Sequence, residues 1–99
     1  MFRRILNALR PRAGARPAGP AEIADRESYR GLELQARPIR EGELWRVAGR
    51  ICRAGEPDGP RHDFIRVDTM ASHDEAVRLS LMKARLIVDE RGDAVLGDD

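Results

Sequence analysis

The sequence predicts an α+β fold of order β-β-β-α, a three-stranded antiparallel sheet packed by one C-terminal helix, with a flexible N-terminal tail. Three observations carry that expectation. Three segments between residues 29 and 69 alternate apolar and polar residues with period two, the pattern of half-buried strands. The connections between them are too short for the crossovers that parallel strands need. A capped segment with helical periodicity then follows Ser72.

Taken in order, Phe2, Ile5, Leu6 and Leu9 fall at helical spacing among basic residues, which describes a short basic amphipathic segment. Helices this short are marginal alone in water. Residues 10–20 hold three Pro and two Gly without a large apolar side chain, so they read as a flexible or partly extended linker. The segment stands as a disordered tail, or as a helix docking on anionic lipid, protein or nucleic acid. These residues define an N-terminal unit at 1–28, a folded domain at 29–93 and an acidic tail at 94–99.

In the first strand Leu32, Leu34 and Ala36 alternate with Glu33, Gln35 and Arg37, ending near Pro38. Arg40-Glu41-Gly42-Glu43 supplies a turn. In the second strand Trp45, Val47, Gly49 and Ile51 alternate with Arg46, Ala48, Arg50 and Cys52. Gly49 weakens a strand and marks a bulge or a close approach, such as packing against the helix. Residues 54–60, with two Gly and two Pro, form the next turn. The third strand, 62–69, is expected to turn Ile65 and Val67 inward and Phe64, Arg66 and Asp68 outward. Ser72 and Glu75 then make a capping box, with Asp74 and Glu75 complementing the positive helix end. Val77, Ser80, Leu81, Ala84, Ile87 and Val88 form the inner stripe, opposite Arg78, Met82, Arg85 and Asp89. Gly92 ends the helix.

Charge is distributed unevenly behind a net +1. Residues 1–20 hold five Arg and no acid; the rest hold 13 basic residues and all 17 acids. A mildly acidic folded part argues against overwhelming nucleic-acid affinity. The single cysteine, Cys52, forms no internal disulfide and suits a reducing compartment. No apolar run approaches the roughly 20 residues needed to span a bilayer, and the N-terminus lacks a secretory signal pattern. A cytoplasmic protein without stable membrane insertion is expected. His62, His73 and Cys52 lack metal-ligand spacing. No carboxylate pair or nucleophile is singled out for catalysis, so the chain is expected to bind rather than catalyse, with no cofactor.

One helix covers one sheet face and leaves the other open. On that open face the alternation places Arg37, Arg46, Arg50, Phe64 and Arg66, with Glu33 among them. Arg suits phosphate and base-edge contacts and an aromatic ring can stack on bases. The same pattern also describes an ordinary solvated or dimer-forming sheet, since Arg and Glu alternate on many such faces. DNA, a regulatory protein and a second copy of the chain are the partners that follow. Trp45 reads as a core or interface anchor. Cys52 reads as an inert thiol, or as an oxidant sensor if exposed with a lowered pKa.

Several motifs extend the reading. Tyr29-Arg30-Gly31, Trp45-Arg46-Val47-Ala48-Gly49-Arg50-Ile51 and His62-Asp63-Phe64-Ile65-Arg66-Val67-Asp68-Thr69 are followed by Ala71-Ser72, Asp74-Glu75-Ala76, Lys83-Ala84 and Ile87-Val88-Asp89-Glu90-Arg91-Gly92-Asp93. Across about two-thirds of the chain these residues resemble the small bacterial HlyU family, labelled transcriptional activators. The resemblance implies a transcriptional regulator and transfers no functional residues. Winged-helix regulators of the same name need several helices, and this chain has room for one, so their mechanism does not carry over. The Tyr29-Arg30-Gly31 start and Asp74-Glu75-Ala76 also resemble AP2 DNA-binding domains, which read DNA through Arg and Trp on a three-stranded sheet. That likeness is one of fold.

Overall fold

Residues 22–97 are described by a computed structural model. They form β1 (Asp25–Tyr29), β2 (Leu32–Ala36), β3 (Ile39–Glu41), β4 (Leu44–Arg53), β5 (Glu56–Met70) and α1 (His73–Arg91), then a 3-10 turn, Gly92–Leu96. The expected α+β architecture of an antiparallel sheet and one C-terminal helix is present, with five strands in place of three. The amphipathic segment at residues 1–9 and the linker after it lie outside the described residues.

β4 organises the sheet. β2 pairs with its second half and β3 with its first, both on one edge, while β5 runs along the other. β2 and β3 are in effect one strand interrupted at Arg37-Pro38, because proline has no N–H to continue the ladder. β1 adds to β2 through a two-residue hairpin in which both Arg30 and Gly31 have positive φ, as a tight primed turn requires. β1 reads Asp-Arg-Glu-Ser-Tyr and lacks the apolar alternation that announces a strand. It is therefore visible only through its partner.

The core lies between one sheet face and α1. Leu32, Leu34, Ala36, Ile51 and Phe64 meet Leu81, Ala84 and Val88, with Val95 and Leu96 closing the end. Each fully buried Leu or Ile contributes about 1.5–3 kcal/mol. Ser72 caps α1 as expected, its Oγ accepting from the Glu75 N–H at 3.3 Å. Gly92 ends α1 with φ 59° and ψ −141°, a positive-φ conformation outside the left-handed helical region. Because Val95 and Leu96 belong to the core and β1 starts at Asp25, the packed unit extends beyond 29–93 at both ends.

Two features set the shape of the β4–β5 pair. The register shifts between Arg46 and Ala48, where β5 spends residues 66–68 opposite Val47 alone. Such a bulge bends the strand. The buried Ser80 hydroxyl donates to Ala76 O at 2.6 Å and accepts from the Ala48 N–H at 3.2 Å. A polar group inside the core thus satisfies the backbone next to the irregularity and ties helix to sheet.

The facing of β5 differs from expectation. Gly49 lies opposite Phe64 and Ile51 opposite His62, and residues directly opposite in an antiparallel pair share a face. Phe64 therefore points toward α1 and is 8% exposed, whereas Ile65 and Val67 are 59% and 88% exposed. The physical reason is Gly49. Its missing Cβ leaves space for the Phe64 ring, since a built Cβ would stand 2.8 Å from Phe64 Cζ. One large ring seated over a glycine outweighs two β-branched side chains as the inward set.

Candidate functional site

The face of the sheet away from α1 collects Arg26 and Ser28 from β1, Glu33 and Gln35 from β2, Arg46, Arg50 and Cys52 from β4, and Asp63 and Ile65 from β5, as register dictates. Arg37 joins them just beyond β2. Of the side chains expected there, Arg37, Arg46 and Arg50 are brought together. Phe64 is not, for the reason given above. Arg66 falls in the bulged stretch of β5, and its carbonyl accepts from Arg46 Nη1 at 2.9 Å.

The arginines of this face are engaged by groups on the same face. Arg46 Nε and Nη2 donate to the two carboxylate oxygens of Glu41 at 2.5 and 2.8 Å. Arg50 Nε and Nη2 donate to Asp63 at 2.5 and 3.3 Å. Arg37 Nε donates to Gln35 Oε1 at 2.8 Å, and Gln35 Nε2 donates to Glu33 Oε2 at 2.6 Å. Arg26 lies 3.6 Å from the same Glu33 oxygen. Two-pronged arginine–carboxylate pairs are the stronger kind of charge-assisted hydrogen bond. Reading the sequence missed Glu41 and Asp63 as partners. The available signal was cross-strand position, which needs the β3–β4 hairpin register for Glu41 and the register that Phe64 sets for Asp63.

These contacts leave electrostatic marks. The Arg46 hydrogen bonds hold the Glu41 carboxyl below its ordinary value, and the Arg50 hydrogen bonds do the same for Asp63. Burial lowers the Arg37 guanidinium, with neighbouring Arg50 adding to the effect. The Cys52 thiol is buried, and burial followed by the Glu33 charge pushes it up. Nucleophilic or oxidant-sensing chemistry needs the thiolate, so this cysteine is held in its inert form. His62 is lowered by burial and then by Arg91.

The sign of the pH dependence follows. For Glu41, Asp63 and His62 the folded-state pKa lies below the ordinary one, so the unfolded chain binds more protons between the two values. Stability is then full above the unfolded pKa and falls as pH drops through the folded one. Thermal unfolding is expected to lose midpoint temperature first below the ordinary His62 value of 6.5. It should fall again below the ordinary values of 4.5 for Glu41 and 3.8 for Asp63. His62→Gln should flatten the upper step and Asp63→Asn part of the lower one. An unchanged midpoint from neutral pH to below 4 contradicts the coupling.

Elsewhere, Trp45 is half-buried and packs edge-on against His73, ring centroids 4.4 Å apart. The Arg40 guanidinium lies over the Trp45 ring, 5.3 Å from its centroid. Tyr29 packs on the core and its hydroxyl donates to Asp89 Oδ1 at 2.7 Å. Among the described residues no group of three or more His, Cys, Asp or Glu converges to hold a metal ion. No described helix is long and apolar enough to cross a membrane.

The architecture and the motifs on β4, β5 and α1 meet in one comparison. The family described as transcriptional activator HlyU matches residues 4–96. No curated protein and no solved structure gives a significant match. The match spans the whole packed unit, including the bulged β5 and the capped helix, and the chain belongs to the HlyU family of transcriptional activators.

Proposed function

We propose that the protein is a non-enzymatic, cytoplasmic transcriptional regulator whose open sheet face binds a regulatory protein rather than duplex DNA. One observation carries the choice of partner: Arg46 and Arg50 are each held in two-pronged fashion by a carboxylate of the same face. A phosphate would have to displace Glu41 and Asp63 from guanidinium forks they already fill. Residues 22–97 also carry 13 basic against 15 acidic side chains, which supplies no long-range pull on a polyanion. A protein partner can cover these internally neutralised pairs without displacing either carboxylate, and charge complementarity around them supplies specificity.

Direct DNA contact is the second reading, favoured by Arg66, whose guanidinium has no carboxylate partner among the described residues. Five further arginines lie in residues 1–20. Salt-titrated binding of the full chain to duplex DNA separates the readings. Protein recognition predicts weak, sequence-insensitive binding that R46A and R50A leave unchanged. Sequence-dependent binding that falls steeply with salt and collapses in R66A or in R46A/R50A overturns it in favour of DNA.

A further inference from the structure

We propose that β5 is a self-pairing edge, joining two copies of this chain across a two-fold axis at Val67. This inference rests on the edge of β5 and not on the ligand of the open face, and it engages Arg66, the arginine on which the DNA reading leans. Among the described residues β5 pairs with β4 alone, so one edge of a fifteen-residue strand is left without a ladder. Unpaired edges of this length are templates for another strand, and proteins blunt them with proline, charge or bulges. Pro60 removes a donor near the start of β5. The bulge at residues 66–68 would be expected to blunt the rest. Instead it carries Val67, the most exposed of the large apolar side chains described, beside exposed Ile65.

The order of residues around that point makes a second copy the occupant. A two-fold interface is self-complementary, with residue i meeting j and j meeting i. Centred on Val67, antiparallel pairing sets Arg66 opposite Asp68, Ile65 opposite Thr69 and Phe64 opposite Met70. Every one of these pairs matches in kind: cation with anion, β-branched with β-branched, apolar with apolar. Such pairs are the unit of sheet stabilisation. Neither Arg66 nor Asp68 has an ion-pair partner among the described residues of its own copy, so both charges are available to the second. A small domain is also marginal alone, because it buries only about 60% of its unfolded surface. Pairing would join two sheets into one continuous sheet and double the open face.

Sedimentation of the full chain over a micromolar concentration range tests this, with far-UV circular dichroism confirming that each variant is folded. The wild type is expected to dimerise. R66D and D68R each set like charges opposite one another twice, and each should raise the dissociation constant by about tenfold or more. The double substitution R66D/D68R restores opposite charges and should restore the dimer. Val67→Cys gives a register test, because directly opposed Cα atoms about 4.5–5.5 Å apart lie within disulfide range. It should cross-link to itself on air oxidation while the wild type, with buried Cys52, does not. A wild-type chain that stays monomeric, a dimer indifferent to both single reversals, or a V67C dimer that never cross-links overturns the proposal. Failure here leaves the DNA titration above unaffected, so the two readings fall separately.

Discussion

Replacing Phe64 with Ala is expected to lower the unfolding free energy by about 3–5 kcal/mol, the usual cost of deleting a buried aromatic ring. The ring is 8% exposed and belongs to the cluster that joins Leu34 and Ile51 of the sheet to Leu81, Ala84 and Val88 of the helix. Its loss would leave a cavity over Gly49 that β2 and β4, locked in register by their ladder, cannot close. A domain of this size has a total stability of about 4–11 kcal/mol, at roughly 0.05–0.15 kcal/mol per residue. The substitution therefore consumes a large share of it. Urea unfolding followed by the emission of Trp45, the single tryptophan, measures the change. A ring facing outward as a stacking platform would instead leave stability within about 0.5 kcal/mol and alter only binding. That outcome would remove the facing of β5 described above, and with it the pairing of Arg50 with Asp63.

Gly49→Ala is expected to destabilise by about 2–3 kcal/mol through overpacking. Glycine within a strand ordinarily costs about 0.5–1 kcal/mol relative to alanine, so the general expectation has the opposite sign. Local geometry decides between them. A Cβ at position 49 would stand 2.4 Å from the Gln35 carbonyl oxygen and 2.8 Å from Phe64 Cζ. The ring can shift by rotating. The carbonyl is backbone of β2, in the stretch where Ala36 pairs with Gly49, and moving it breaks the ladder. For that reason F64A should relieve only part of the clash. The double variant G49A/F64A should be less destabilised than the two single losses added together, as neighbours sharing one space are. A G49A protein more stable than wild type in the same urea titration would show that the strands separate freely at this point.

Much of the fold was legible because some signals are local. The cap of α1 depends on Ser72 and Glu75, three residues apart, and the inner stripe of the helix depends on a spacing that no neighbour can change. β2 was equally plain, since Leu32, Leu34 and Ala36 alternate with polar residues and all three are buried. β1 was not legible. Its five residues include Asp25, Arg26 and Glu27, and they become a strand by borrowing the edge of β2 after the Arg30-Gly31 turn. The length of β5 was underestimated for a related reason: residues 56–60 contain Pro57, Gly59 and Pro60 yet continue the strand, leaving only Ala54-Gly55 as the turn.

The candidate face shows the same division. Alternation alone was enough to bring Arg37, Arg46 and Arg50 to one side. Whether those arginines are free was a question of partners, and the partners come from other strands. Glu41 reaches Arg46 across the β3–β4 hairpin, and Asp63 reaches Arg50 because β5 is set with Phe64 inward.

By itself, then, the sequence determined the elements whose causes lie within a few residues: the capped helix, the alternating strands, the antiparallel connections and the family motifs. Only the tertiary structure decided which way β5 faces. Strand periodicity has two phases, and choosing between them depends on the space beneath Gly49, a property of three strands at once. From that one choice follow the burial of Phe64, the pairing of Arg50 with Asp63 and the exposure of Ile65 and Val67 on an unpaired edge.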